Sequence, residues 1–230
     1  MLEIYKRTKV KSYWNNRERI TKRIIVYCLG LLLMSIGIVF SVKSNLGVSP
    51  VSSIPYTLTL ITGVGLGITT VLVYFAYIAI QVLMLRRDFK PSGLLQILCT
   101  FLFGYFISFS YLLLHAFPAP ENYATQLVYL GISIVFVAVG ILLYIPANIV
   151  YLPAEGVMQA MVKQKGIKMA TAKIRFDCTV VVISAISSIA FLYQLGSVRE
   201  GTVFAAIGVG WVLSILSKPF ERPIRNFLYA

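Results

Sequence analysis

Apolar positions in this chain run on unbroken, without the alternation of a half-buried strand or the stripe of a surface helix. Windows of about 19 residues, the length that crosses a bilayer as a helix, pick out six such runs, at 24–42, 66–85, 94–117, 127–145, 176–195 and 201–217. Backbone in hydrocarbon must satisfy its own polar groups, so each run is predicted to be a helix. A secretory signal is a competing reading of the first run. It is preceded by 23 polar and basic residues and followed by no small-residue cleavage pattern, so it reads as a retained helix.

Composition agrees with this pattern: 58% of the 230 residues are hydrophobic and 13% charged, about half the charge of an ordinary globular domain. Mean hydropathy is +0.83. Soluble-enzyme, collagenous, disordered and disulfide-scaffold classes are excluded. Cys28, Cys99 and Cys178 fall within apolar runs without metal-ligand spacing and read as small buried hydrophobes.

Lys and Arg outnumber Asp and Glu by 21 to 8. The excess follows membrane topology, so no nucleic-acid partner is expected. Nineteen basic residues fall in the 1–23 arm, the 86–90 turn, the 163–175 segment and the 218–230 tail, leaving only Lys43 and Arg199 for the other side. The positive-inside rule then puts both termini in the cytoplasm, with six spans as the even number this requires. The arm mixes Lys6, Arg7, Lys9, Lys11, Arg17, Arg19, Lys22 and Arg23 with Tyr5, Tyr13 and Trp14. That composition suits either an anionic lipid surface or a solvated topology determinant. Pro219 and Pro223 are expected to discourage helix in the tail, leaving 218–230 along the inner surface.

Laid over each other at an offset of 103, the halves match Gly37 to Gly140, Pro50 to Pro153, Gly63 to Gly166 and Gly93 to Gly196. Chance gives about one such Gly or Pro identity. Each half, 24–117 and 127–217, reads as span, short Pro-initiated segment, span, span. Three spans per repeat invert the second copy, so the expected fold is an all-α polytopic membrane protein with a 3+3 inverted repeat. The short segments, 50–63 and 153–166, begin with Pro, end with Gly and are too short to span. They either lie in the interface or re-enter the membrane, where their N-termini would offer N–H groups to an anion or polar group. Gly63, Gly65 and Gly67 could give flexibility beside the first.

Candidate substrate-binding or coupling residues gather around these segments. Ser49, Pro50, Ser52 and Ser53 open the first; Pro153 and Glu155 open the second, where a carboxylate either caps the helix or binds a ligand. Asn148 falls where the fourth run breaks and could line a cavity. Asp177, the one acid inside a proposed span, needs a partner or a proton, and Lys173 lies four residues earlier on the same face. That pair is either structural or the site of proton coupling or substrate contact. Arg199 and Glu200 either gate an entrance or pair with each other. Gln81 and Gln96 must find partners, most often on another helix. His115 reads as interfacial.

The stretches SNLGVSPVSSIPYTL, LLQILCTFLFGYF, LPAEG, KIRFD and VREGT with Gly208 resemble the YczE/YitT-type family of small bacterial integral membrane proteins, over about residues 24–217. The resemblance implies a bacterial cytoplasmic-membrane location and a transport or membrane-accessory role. Its recurrent positions match at Gly47, Ser49, Pro50, Pro153, Glu155, Gly156, Lys173, Asp177, Gly201 and Thr202. Where relatives often carry an acid after the FG pair of the third span, this chain reads YFISFSY.

The expected function is secondary transport of a small polar or anionic solute, possible proton coupling included, with the site between the repeats and alternately exposed by rocking. A channel of the same architecture and a non-transporting accessory for a partner or lipid are the alternatives. An enzyme is not expected: no zinc-ligand helix, nucleophile elbow or phosphate loop is present, and there is one His. No cofactor or metal is expected, and a homo-oligomer is left open.

Overall fold

In the computed structural model of the protein, residues 17–89 and 91–229 are described, with 17, 18, 91 and 92 described by backbone alone. The arm's Tyr5, Lys6, Arg7, Lys9, Lys11, Tyr13 and Trp14 lie outside the described residues, so the expected lipid contact of these residues lies there too. Helix forms 84% of the described residues, with no strand among them. The helices are α1 (Arg17–Ser44), α2 (Pro50–Thr62), α3 (Leu66–Leu85), α4 (Leu95–Leu113), α5 (Tyr123–Ala147), α6 (Pro153–Lys165), α7 (Met169–Leu192) and α8 (Glu200–Tyr229). Six of them, all but α2 and α6, are long and apolar enough to cross a membrane.

The predicted runs locate all six, but four helices outgrow them, α5 by a turn at its start. α1 and α7 begin a turn or two earlier, because helix continues through the basic residues that flank the apolar stretch. The larger correction is α8, which passes through Pro219 and Pro223 and continues to Tyr229. Each proline removes one backbone hydrogen bond, yet the last turns are anchored from outside. Leu228 is fully buried, the Tyr229 hydroxyl donates to the Pro146 carbonyl at 2.9 Å, and Lys22 and Arg23 lie over the rings of Phe227 and Tyr229. Tertiary contact overrides local propensity here. A second correction concerns Cys178, which is exposed, whereas Cys99 is buried and Cys28 partly so.

The central seam is α1 against α5, antiparallel and spaced by glycines. A methyl group on Gly140 would sit 2.6 Å from the Gly30 carbonyl oxygen, and one on Gly37 would sit 2.9 Å from that of Ser133. Such backbone approach is how helices associate where water cannot drive them together. Phe40 closes one end of the seam among the rings of Phe117, Tyr129 and Phe136. α4 joins α1 through the Ser35 and Ser110 hydroxyls, 2.7 Å apart, and α8 joins α5 through Ala138, Leu142 and Leu213. Gly67, expected to be flexible, instead packs against Gly104 and Ser108 of α4.

Each short helix wedges between the same two long ones, α3 and α7. Both are 13 residues long, start at Pro and stop at a left-handed glycine, Gly63 at φ 71° and Gly166 at φ 62°. α2 runs parallel to α7 from the middle of that helix: Ser53 Oγ reaches the Val180 carbonyl at 3.5 Å, and Thr57 reaches Ser184 and Ser188. Val180 stands about 16 Å along a helix of about 36 Å. α6 runs beside the C-terminal end of α3 and the turn after it, from Gln81, which donates to the Pro153 carbonyl at 3.0 Å, to Asp88 of that turn, which pairs with Lys163 at 3.0 Å.

Gly140→Ala should lower stability by about 1–3 kcal/mol through overpacking of the seam. Gly131→Ala, on the same helix with open space around it, should leave the melting temperature in detergent unchanged or slightly raised. Thermal unfolding of the two variants checks the contrast.

Candidate functional site

The site is built by breaks in the helices. α5 ends at Asn148 in the left-handed region, φ 49°, as α1 does at Asn45, φ 55°. The non-helical backbone that follows cannot bond to itself, and buried carbonyls need partners. α1 supplies them: Arg23 donates from Nε to Ala147 O at 2.8 Å and from Nη2 to Asn148 O at 2.6 Å, and the Tyr27 hydroxyl donates to Val150 O at 2.9 Å. Around the other break, Ser41 Oγ donates to Gly47 O, the Val48 amide to Ser197 O at 3.1 Å, and the Gly201 amide to Leu46 O at 2.7 Å. A small cleft, with room for about one water, is lined by Tyr144, Ile145, Asn148, Ile149, Val150 and Tyr151.

Held at this angle, the first turn of α6 places Glu155 between the halves. Tyr144 of α5, Lys173 and Asp177 of α7, and Tyr74 of α3 are near enough to interact electrostatically with its carboxyl. Lys173 Nζ donates to Asp177 Oδ2 at 2.7 Å. Glu155 Oε2, Asp177 Oδ1 and the hydroxyl of Tyr77 are among the buried oxygens with no hydrogen-bond partner. Tyr77 is 5% exposed and its ring meets Phe176 edge-on at 5.3 Å. Among the described residues no group of three His, Cys, Asp or Glu side chains could hold a metal ion. The cluster offers two carboxyls, one ammonium and the phenols of Tyr74, Tyr77 and Tyr144, a set suited to binding protons or a small polar group.

On the α2 side the chemistry is hydroxylic. Thr57 Oγ1 lies 2.6 Å from Ser184 Oγ and 2.5 Å from Ser197 Oγ, which are themselves 2.8 Å apart. Ser53 donates to the Pro50 carbonyl at 2.7 Å and Ser49 to Ser52 at 3.2 Å. These hydroxyls bind α2 to α7 and to the loop before α8.

Of the residues the sequence singles out, Glu155, Lys173 and Asp177 come together, with Pro153 starting the helix that carries Glu155 and Asn148 in the backbone break before it. Ser49, Pro50, Ser52 and Ser53 form a separate group on α2. Arg199 and Glu200 sit by Gly47, their side chains 3.8 Å apart and half-exposed. Gln81 and Gln96 pair reciprocally, at 3.0 and 3.2 Å. Sequence reasoning missed Arg23, which it placed in the solvated arm but which is only 5% exposed, and Tyr27, Tyr74, Tyr77 and Tyr144. It missed the hydroxyls of α7 too, although Asp177, Ser184 and Ser188 recur at helical spacing on one face.

Six apolar long helices enclosing two part-length helices and a buried ionic cluster define a multi-pass α-helical membrane protein. Over residues 21–218 the chain matches the family of unknown function DUF6198, and it belongs to that family. No curated protein and no solved structure matches it.

Arg23→Met keeps the apolar stem and removes the donors to two carbonyls, which should cost about 2–3 kcal/mol. Hydrogen exchange should accelerate in 147–152 and stay unchanged in the centre of α4.

Proposed function

We propose that the protein is a secondary transporter of a small polar or anionic solute, built as a 3+3 inverted repeat with its site between the halves. The observation that carries this reading is the convergence of Glu155, Lys173 and Asp177 where α6 begins inside the bundle. Buried ionisable groups at such a place are costly and mark solute or proton pathways.

The repeat has support beyond shared glycines and prolines. An offset of 103 carries α2 onto α6 at both ends, Pro50 to Pro153 and Thr62 to Lys165, and Asn45 onto Asn148. It exchanges contacts as well: Gly37 meets Ser133 and Val137, while Gly140 meets Gly30 and Met34, the same positions with the halves swapped. α1 and α5, which correspond, run antiparallel. One asymmetry stands out: α3 packs along α4, whereas α7 does not pack along α8 in the same way among the described residues. α8 is held by α5 instead.

In this reading the six long helices lie in a bacterial cytoplasmic membrane with both termini in the cytoplasm, as the basic residues dictate. The likeness to the YczE/YitT-type proteins points the same way. α2 then starts at depth and runs to the outer face, and α6 runs to the inner one. Rocking of one half against the other about the α1 and α5 seam exposes the cluster to each side in turn. The N-terminus of α6 and Lys173 attract the negative or polar end of a solute, and the carboxyls supply acceptors or a coupling proton.

Proteoliposomes offered labelled amino acids and small organic acids should show saturable counterflow. Asp177→Asn, which leaves Lys173 without its partner, should lower that exchange roughly tenfold, within the usual range of coupling energies. Non-saturating conductance would identify a pore, and neither flux nor conductance would leave an accessory role. Terminal tags should be protected from external protease in intact cells.

A further inference from the structure

The part-buried charges at the start of α6 do not balance, two carboxyls facing one ammonium. Every packed element contributes a group facing Glu155 or its neighbours: Tyr27 from α1, Tyr74 and Tyr77 from α3, Tyr144 from α5, and Lys173 and Asp177 from α7. Of these only Lys173 is a cation, and its ammonium is committed to Asp177 Oδ2 at 2.7 Å. The nearest other cation along the break, Arg23, is turned to the carbonyls of Ala147 and Asn148. Tyr27 gives its hydroxyl to Val150. Glu155 Oε2 is left buried with no hydrogen-bond partner, its carboxyl in reach of the Tyr144 hydroxyl and of the Lys173 charge, while the Tyr77 hydroxyl, also without a partner, lies by Asp177. Were Glu155 ionised, two carboxylates would share the one Lys173 ammonium, which already pairs with Asp177, and proteins avoid such an excess of charge by neutralising one group.

We propose that Glu155 is a proton-binding site: in this conformation it is a neutral carboxylic acid, beside a closed Lys173–Asp177 ion pair, and it exchanges that proton with water. The proton enters from solvent onto a carboxylate oxygen and leaves the same oxygen, returning the carboxylate. No other bond changes. The cluster is then neutral as a whole, which permits its burial. The assignment places the exchangeable proton in the first turn of α6, just past the backbone break, and not on Asp177, which keeps its charge for Lys173. It deepens the transporter reading by naming the coupling ion, while the proton itself can be observed without any transport.

Infrared spectroscopy of the full chain in lipid nanodiscs tests this directly. At neutral pH the wild type should show the carbonyl stretch of a protonated carboxylic acid, lost reversibly on alkaline titration. The band should vanish in Glu155→Gln and persist in Asp177→Asn. Glu155→Gln, which mimics the neutral acid, should keep the wild-type melting temperature at neutral pH. A carboxyl that holds its proton only when folded stabilises less as pH rises above the ordinary glutamate range, then levels off once ionised. The wild type should show that decline and Glu155→Gln should lack its Glu155 component. Absence of the band in the wild type at neutral pH, its survival in Glu155→Gln, or its loss on replacing choline chloride by sodium chloride would overturn the proposal. The wild-type titration needs no variant to fold. If the band behaves as expected and proteoliposomes move no solute, the proton site stands and the transporter reading falls.

Discussion

Two interruptions of the helical backbone, one after α1 and one after α5, govern the arrangement of the whole molecule. A chain that leaves helical geometry within a packed apolar bundle frees carbonyl and amide groups, and those buried from water must be answered by protein. Arg23 and Tyr27 answer one break, and the loop before α8 with Ser41 answers the other. These bonds let α2 and α6 begin inside the bundle instead of on its surface. The position of Glu155 follows from them, and so does the meeting of Glu155 with Lys173 and Asp177.

The seam between α1 and α5 is the second condition. Its glycines bring the two backbones close enough for Arg23 and Tyr27 to reach across to the break after α5. Larger residues at Gly30 or Gly140 would push α5 outward and withdraw those donors from their carbonyls. Stability and the geometry of the ionic cluster are thus tied to one interface, and an alternating motion of the halves would have to pivot there.

Much of this was legible in the sequence. Six long apolar runs became six long helices, and the Pro and Gly that bracket each short segment fall at the first turn and at the left-handed cap of α2 and α6. Lys173 and Asp177 pair as their four-residue spacing requires. Arg23 was not legible, since a basic residue at the edge of an apolar run reads as a solvated charge, and its carbonyl partner lies 124 residues away. The tyrosines were hidden for a different reason: one hydroxyl on an aromatic ring does not interrupt an apolar run. Pro219 and Pro223 misled because local propensity says nothing of the anchoring that Leu228 and Tyr229 find on α1 and α5.

The central claim is that the part-length helices start at mid-depth and leave toward opposite faces. Spin labels at Val51 and Leu60 of α2, and at Gln159 and Gln164 of α6, placed one at a time in a cysteine-free chain in lipid, measure it through relaxation by oxygen and by a water-soluble paramagnet. The expected result is that Val51 and Gln159 lie deeper than Leu60 and Gln164, and that the latter two respond to the water-soluble agent from opposite sides of the vesicle. Equal depth along either helix, or a response of both ends from one side, would contradict the arrangement.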